Sequence, residues 1–111
     1  MEALSWSDFE KVEMRVGTIV EATLNTKARK PAYTLLIDFG ERGHLKSSAQ
    51  ITALYQPETL LGKQIVAVVN FPPKQIANVM SECLVLGAVA EGGEVTLLHP
   101  GQPVTNGLRI A

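Results

Sequence analysis

Cysteine occurs once in these 111 residues, as Cys83, so no internal disulfide and no cysteine-rich metal site can form within the chain. Aromatic residues make up only 5%, and no run interleaves them with basic groups. A stacking platform for single-stranded nucleic acid therefore has little to build on. No apolar run approaches the roughly 18–20 residues that cross a bilayer, so membrane insertion is not expected. Met1-Glu2-Ala3-Leu4-Ser5-Trp6 has neither a basic region nor an apolar stretch behind it, unlike a secretory signal. With the lone thiol, this points to the cytoplasm. The two histidines, His44 and His99, have no partner at ligand spacing, which argues against a metal. There is no Gly-x-Ser-x-Gly elbow, no P-loop and no dinucleotide glycine motif. Ser47 and Ser48 have His44 and Asp38 nearby in sequence, yet strand alternation gives no reason to join them in a triad. The expectation is a binding protein with no catalytic residue and no cofactor.

What is present is an ordinary apolar fraction of 46%, few charges at 19%, and a net charge of −1. One modest domain spanning residues 1–111 fits this length, and a chain of this size gains from oligomerisation. The charge is unevenly spread. Residues 1–26 set Lys11 and Arg15 against five carboxylates, and residues 75–111 set Arg109 against three. The middle carries Lys27, Arg29, Lys30, Arg42, Lys46, Lys63 and Lys74 against Asp38, Glu41 and Glu58. A basic surface is possible there, although a dedicated nucleic-acid binder is usually more basic overall.

Ser5 to Val12 reads as a short helix with Ser7 as cap and Glu10 three residues on. Its Trp6, Phe9 and Val12 recur near helical spacing. From Met14 to Leu24 the pattern alternates, with Met14, Val16, Thr18, Val20, Ala22 and Leu24 on the apolar face and Gly17 marking a bulge or bend. Ala32–Phe39 and His44–Ala49 follow as strands. Ile51–Leu61 suggests a helical connector, Lys63–Val69 a fourth strand ended by Pro72 and Pro73, Ser81–Ala90 a fifth and Glu94–Leu98 a short sixth. Five main strands with a helix between the third and fourth match an all-β, partly open OB-fold barrel, and strand count alone also allows an SH3-like barrel.

In an OB-fold, ligands meet the strand 2–3 face, bounded by the loops joining strands 1–2 and 4–5. Here these are Asn25–Pro31, with Lys27, Arg29 and Lys30, and Asn70–Met80, with Phe71, Lys74, Ile76, Val79 and Met80. The cations suit phosphate or acidic peptide groups, or serve only as solvated charge. The apolar residues suit a groove for extended peptide, or else fold back on the barrel or fill a homodimer contact. Cys83 reads as a small buried hydrophobe.

Several blocks resemble a known family. Asp8-Phe9-Glu10-Lys11-Val12-Glu13-Met14-Arg15-Val16-Gly17-Thr18-Ile19 is similar to the entry of the tRNA-binding-domain superfamily. Ala28–Tyr33 and Ile37–Gly40 are similar to its second block. Lys46-Ser47-Ser48-Ala49-Gln50-Ile51 and Val68–Ala77 resemble its CsaA-type branch of export-related chaperones, and Ser81–Gly87 and Pro103–Gly107 complete the match. The tRNA-binding branch has a Ser-x-x-Met element, and Leu84 stands where that Met would be. The resemblance implies an OB-fold homodimer that chaperones unfolded preproteins and peptides for export, contacts the SecA translocation motor, and descends from tRNA binders, leaving tRNA as the alternative ligand. It also implies that Phe71, Pro72, Pro73, Lys74 and Ile76 line the ligand cavity beside Ser47, Ser48 and Gln50. Lys27, Arg29, Lys30 and Lys46 would rim it, and Trp6 and Phe9 would belong to the dimer contact.

Overall fold

The computed structural model describes residues 1–111. Helix α1 spans Trp6–Glu10, and its cap is Ser5, not Ser7: the Ser5 hydroxyl accepts the Asp8 amide at 3.1 Å. The cap falls two residues earlier because Asp8 and Glu10 lie within the single turn. No residue of α1 is buried, so the helix is held by its ends. The Arg109 guanidinium donates to the Glu10 carbonyl at 3.1 Å. The Asn70 amide group donates to the Lys11 carbonyl at 2.6 Å and accepts the Glu13 amide at 3.0 Å.

Strand β1 (Met14–Leu24) is the spine of the sheet. It pairs antiparallel with β2 (Tyr33–Asp38) and β4 (Gln64–Val68); β3 (His44–Ala49) flanks β2, and β7 (Leu84–Val85) flanks β4. The order β3-β2-β1-β4-β7 curls until its ends nearly meet, giving the five-stranded OB-like barrel the pattern anticipated. Helix α2 is one turn, Pro57–Leu60, and it sets the fully buried Leu60 into the core. Leu60 shares one buried cluster with Ile19, Leu35, Ile37, Phe39, Ile51, Ile65 and Leu97.

The inner face of β1 is not the one its alternation suggested. Gly17 and Ile19, assigned to the polar face, are buried, while Val20 and Leu24 are exposed. Two features cause this. A Cβ on Gly17 would lie 2.6 Å from Ile37 Cγ2 and 2.8 Å from the Phe39 ring, so the glycine admits Phe39 rather than marking a bulge. The bulge sits three residues later: Ile19 faces Ile37, Glu21 faces Leu36, and Val20 is the extra residue. Val16 is buried on the opposite side by the chain near Leu108, whose carbonyl accepts its amide at 3.0 Å.

The second half departs further. The segment read as a loop contains a hairpin, β5 (Lys74–Ile76) with β6 (Val79–Ser81), and its turn holds Ala77 at a φ of 52°. The expected fifth strand is broken into β7, which pairs with β4, and β8 (Gly87–Val89), which pairs with β9 (Val95–Leu97). The tail, to which no element was assigned, ends in β10 (Arg109–Ile110) alongside β1.

Candidate functional site

Where β3 approaches β6 and β7, the barrel closes without a strand ladder. The Lys46 carbonyl accepts the Glu82 amide at 2.8 Å, and the Lys46 amide donates to Glu82 Oε1 at 2.9 Å. The Ser48 amide donates to Ser81 Oγ at 3.0 Å, and Ser47 Oγ donates to the Cys83 carbonyl at 2.9 Å. Side chains thus do much of the work that backbone does elsewhere in the barrel.

Over this seam lies a cavity of about 380 Å³, lined by Ser48, Phe71, Pro72, Lys74, Ile76, Ser81, Cys83 and Leu84. The structure therefore brings together Ser48, Phe71, Pro72, Lys74 and Ile76 of the expected set. Ser47 is 1% exposed, below the cavity surface and committed to its bond with Cys83. Pro73 and Gln50 are exposed but do not line the cavity. Ser81, Cys83 and Leu84 complete the wall and were missed, because a strand through Ser81–Ala90 would put Leu84 on the face opposite Ser81 and Cys83. Burial pushes the Cys83 thiol up to about 12, with the Ser47 hydrogen bond opposing and the Glu82 charge adding to the rise, so it lines the cavity as a neutral, apolar group.

The cavity is apolar on Phe71, Pro72, Ile76 and Leu84, with hydroxyls at Ser48 and Ser81 and one cation at Lys74. Phe71 is 56% exposed and Leu84 49% exposed, apolar surface without cover. Lys27, Arg29 and Lys30 are exposed on the β1–β2 loop, which leaves the barrel where Tyr33 pairs with Ala49, next to Ser48. Lys46 is exposed on β3. None of Lys27, Arg29, Lys30, Lys46 and Lys74 makes an ion pair.

Trp6 and Phe9 lie elsewhere, on α1, where with Leu4 and Ser5 they border a hollow of about 240 Å³; Trp6 is 82% exposed. Asn70 connects the two places, since it holds the backbone after α1 and directly precedes Phe71. His44 Nε2 lies 3.8 Å from Asp38 Oδ1, and neither cavity serine bonds to it. No helix is long and apolar enough to cross a membrane.

Residues 14–109 match the tRNA binding domain family. The chain is 33% identical over 110 residues to the methionine–tRNA ligase of Methanocaldococcus jannaschii, a match covering 99% of this chain and 17% of the ligase. It thus spans about a sixth of that relative. Among solved structures, the chaperone CsaA from Bacillus anthracis is 51% identical with a TM-score of 0.95, covering 99% of this chain and all of that one. The CsaA chaperone protein from Picrophilus torridus is 50% identical with a TM-score of 0.91, covering 98% of this chain and all of that one.

Proposed function

Because the chain belongs to the tRNA-binding-domain family, we propose that it is a non-catalytic binding module, and specifically an ATP-independent chaperone for unfolded preprotein segments in the cytoplasm. The observation that carries this reading is the uncovered apolar cavity of Phe71, Pro72, Ile76 and Leu84 with Lys74 in its wall. Its size suits one or two apolar side chains, and its one cation, Lys74, suits an acidic flank of a peptide. Likeness at about half identity to two solved proteins described as CsaA chaperones supports it. On this reading Pro73 and Gln50 border the bound segment, and Ser47 acts from beneath by fixing Cys83. The exposed Trp6 and Phe9 join two copies into a homodimer. One unfolded segment then engages both cavities and gains avidity. The SecA motor is the corresponding partner in export.

The test is a titration with a labelled unfolded preprotein segment at physiological salt, with and without competing tRNA. Replacing Phe71 and Ile76 together by Ser should weaken binding at least about tenfold, the scale of losing two buried apolar contacts, with the fold intact by circular dichroism. Unchanged affinity would remove this cavity from the account.

A second reading has an observation of its own: the unpaired cations Lys27, Arg29, Lys30, Lys46, Lys63 and Lys74 in a family named for tRNA binding. Salt-sensitive tRNA binding with no peptide binding would establish that reading in place of the first.

A further inference from the structure

We propose that the cavity takes its peptide as an added β-strand, paired main chain to main chain with the outer edge of β3; this rests on the peptide reading above and specifies its mode. The amides of Lys46 and Ser48, two residues apart, both point away from β2. In a continuous ladder they would meet carbonyls of a neighbouring strand. Here they meet Glu82 Oε1 at 2.9 Å and Ser81 Oγ at 3.0 Å. A single backbone bond, from the Glu82 amide to the Lys46 carbonyl, crosses the seam. Neither the Ser48 carbonyl nor the Gln50 amide bonds to β6 or β7.

An edge strand left in this state is a template for another chain, and proteins usually blunt it. Two side-chain oxygens blunt this one. The Glu82 main chain already holds the place beside Lys46, so the incoming strand pairs beyond it: at the Ser48 amide, once the Ser81 hydroxyl rotates aside, and at the Ser48 carbonyl and Gln50 amide. Ser48 also lines the cavity, and Gln50, two residues on, is exposed. A strand bound there turns every second side chain to one face, so one residue enters between Phe71, Ile76 and Leu84 while its neighbours stay in solvent. The ammonium groups of Lys74 in the wall and Lys46 at the edge make no ion pair. The occupant that fits is an extended segment with an apolar residue flanked by an acidic one. A nucleic acid strand offers no alternating amides and cannot complete this edge.

The probe is a ten-residue synthetic peptide alternating leucine and threonine with one aspartate, compared with the same peptide N-methylated at its interior amides. N-methylation removes the main-chain donors, keeps every side chain and leaves the backbone extended. The unmodified peptide should bind and the methylated one should bind at least about tenfold more weakly, the scale of losing two or more hydrogen bonds. Equal affinities would overturn strand addition while leaving the peptide reading standing. If the unfolded preprotein segment binds and the unmodified probe does not, the proposed occupant is wrong; if neither binds, the peptide reading falls too. Ser81→Ala gives an opposite sign for the two roles open to that hydroxyl. As a cover on the Ser48 amide, its loss should tighten peptide binding by roughly two- to fivefold. A weakening would make Ser81 a direct ligand contact and count against the proposal.

Discussion

The molecule carries two groups of cations that treat their charge in opposite ways. At one end of β1, the guanidinium groups of Arg15 and Arg42 share one oxygen, each donating to Glu13 Oε1 at 2.8 Å. Arg15 also donates to the Gly107 carbonyl at 3.1 Å. That cluster ties the start of β1, the turn at Gly40–Arg42 and the tail together. The side chains of Lys27, Arg29 and Lys30 on the β1–β2 loop, of Lys46 on β3 and of Lys74 in the cavity wall make no ion pair. Charges of one sign thus divide into a set answered within the fold and a set that is not, and the proposed binding draws only on the second.

The sharpest way to break that division is at Arg15. Arg15→Met keeps much of the side chain's length but removes the donors to Glu13 and Gly107. It should cost about 1–3 kcal/mol of stability, read as a lower urea midpoint at unchanged slope. A change below about 0.5 kcal/mol would show that the cluster is surface decoration. The converse is Arg29→Ala with Lys30→Ala, which should shift stability by no more than about 0.5 kcal/mol. If tRNA is the ligand, the double variant should also flatten the salt dependence of binding by roughly one to two units of slope.

The smallest effect is expected at Glu13. The hydrogen bond from Arg15, with the charges of Arg42, Arg15 and Arg109, holds its carboxyl below the usual 4.5 despite opposing desolvation. A lowered folded value means that its contribution is present above the unfolded value and is lost as pH falls through the folded one. Glu13→Gln should therefore lower the melting temperature near neutral pH. The gap to the parent protein should close as pH drops below about 4.5. A gap that persists into acid would locate the effect in packing rather than charge.

The first half of the barrel was largely legible in the sequence, and the seam was not. β3 at His44–Ala49 falls where it was expected, and β2 and β4 fall within a residue at each end, because each is a run of strand-forming residues bounded by glycine or a polar break. Facing was less readable. Alternation alone placed Ile19 outside, since nothing local reveals that Gly17 makes room for Phe39 or that Val20 is looped out. Of the cavity, Phe71, Pro72, Lys74 and Ile76 stood out as apolar and cationic groups beside prolines. Leu84 and Ser81 did not, because their position depends on β7 exchanging β4 for a turn after only two residues. The pairing of β10 was hidden for a similar reason: two residues carry no period, and their partner lies at the other end of the chain.

That last pairing has a consequence for how the molecule comes into being. Arg15 and Gly107 are bonded across 92 residues, and β1 pairs with β10 beside them. During synthesis, β1 leaves the ribosome long before its partner exists, so the lower end of the nascent barrel stays open until residue 110 emerges. Local hairpins such as β2–β3 can form meanwhile, whereas this closure carries the largest loop-entropy cost and comes last. Until then the first strand of a protein proposed to shelter unfinished chains is itself an unfinished chain, with one edge bare.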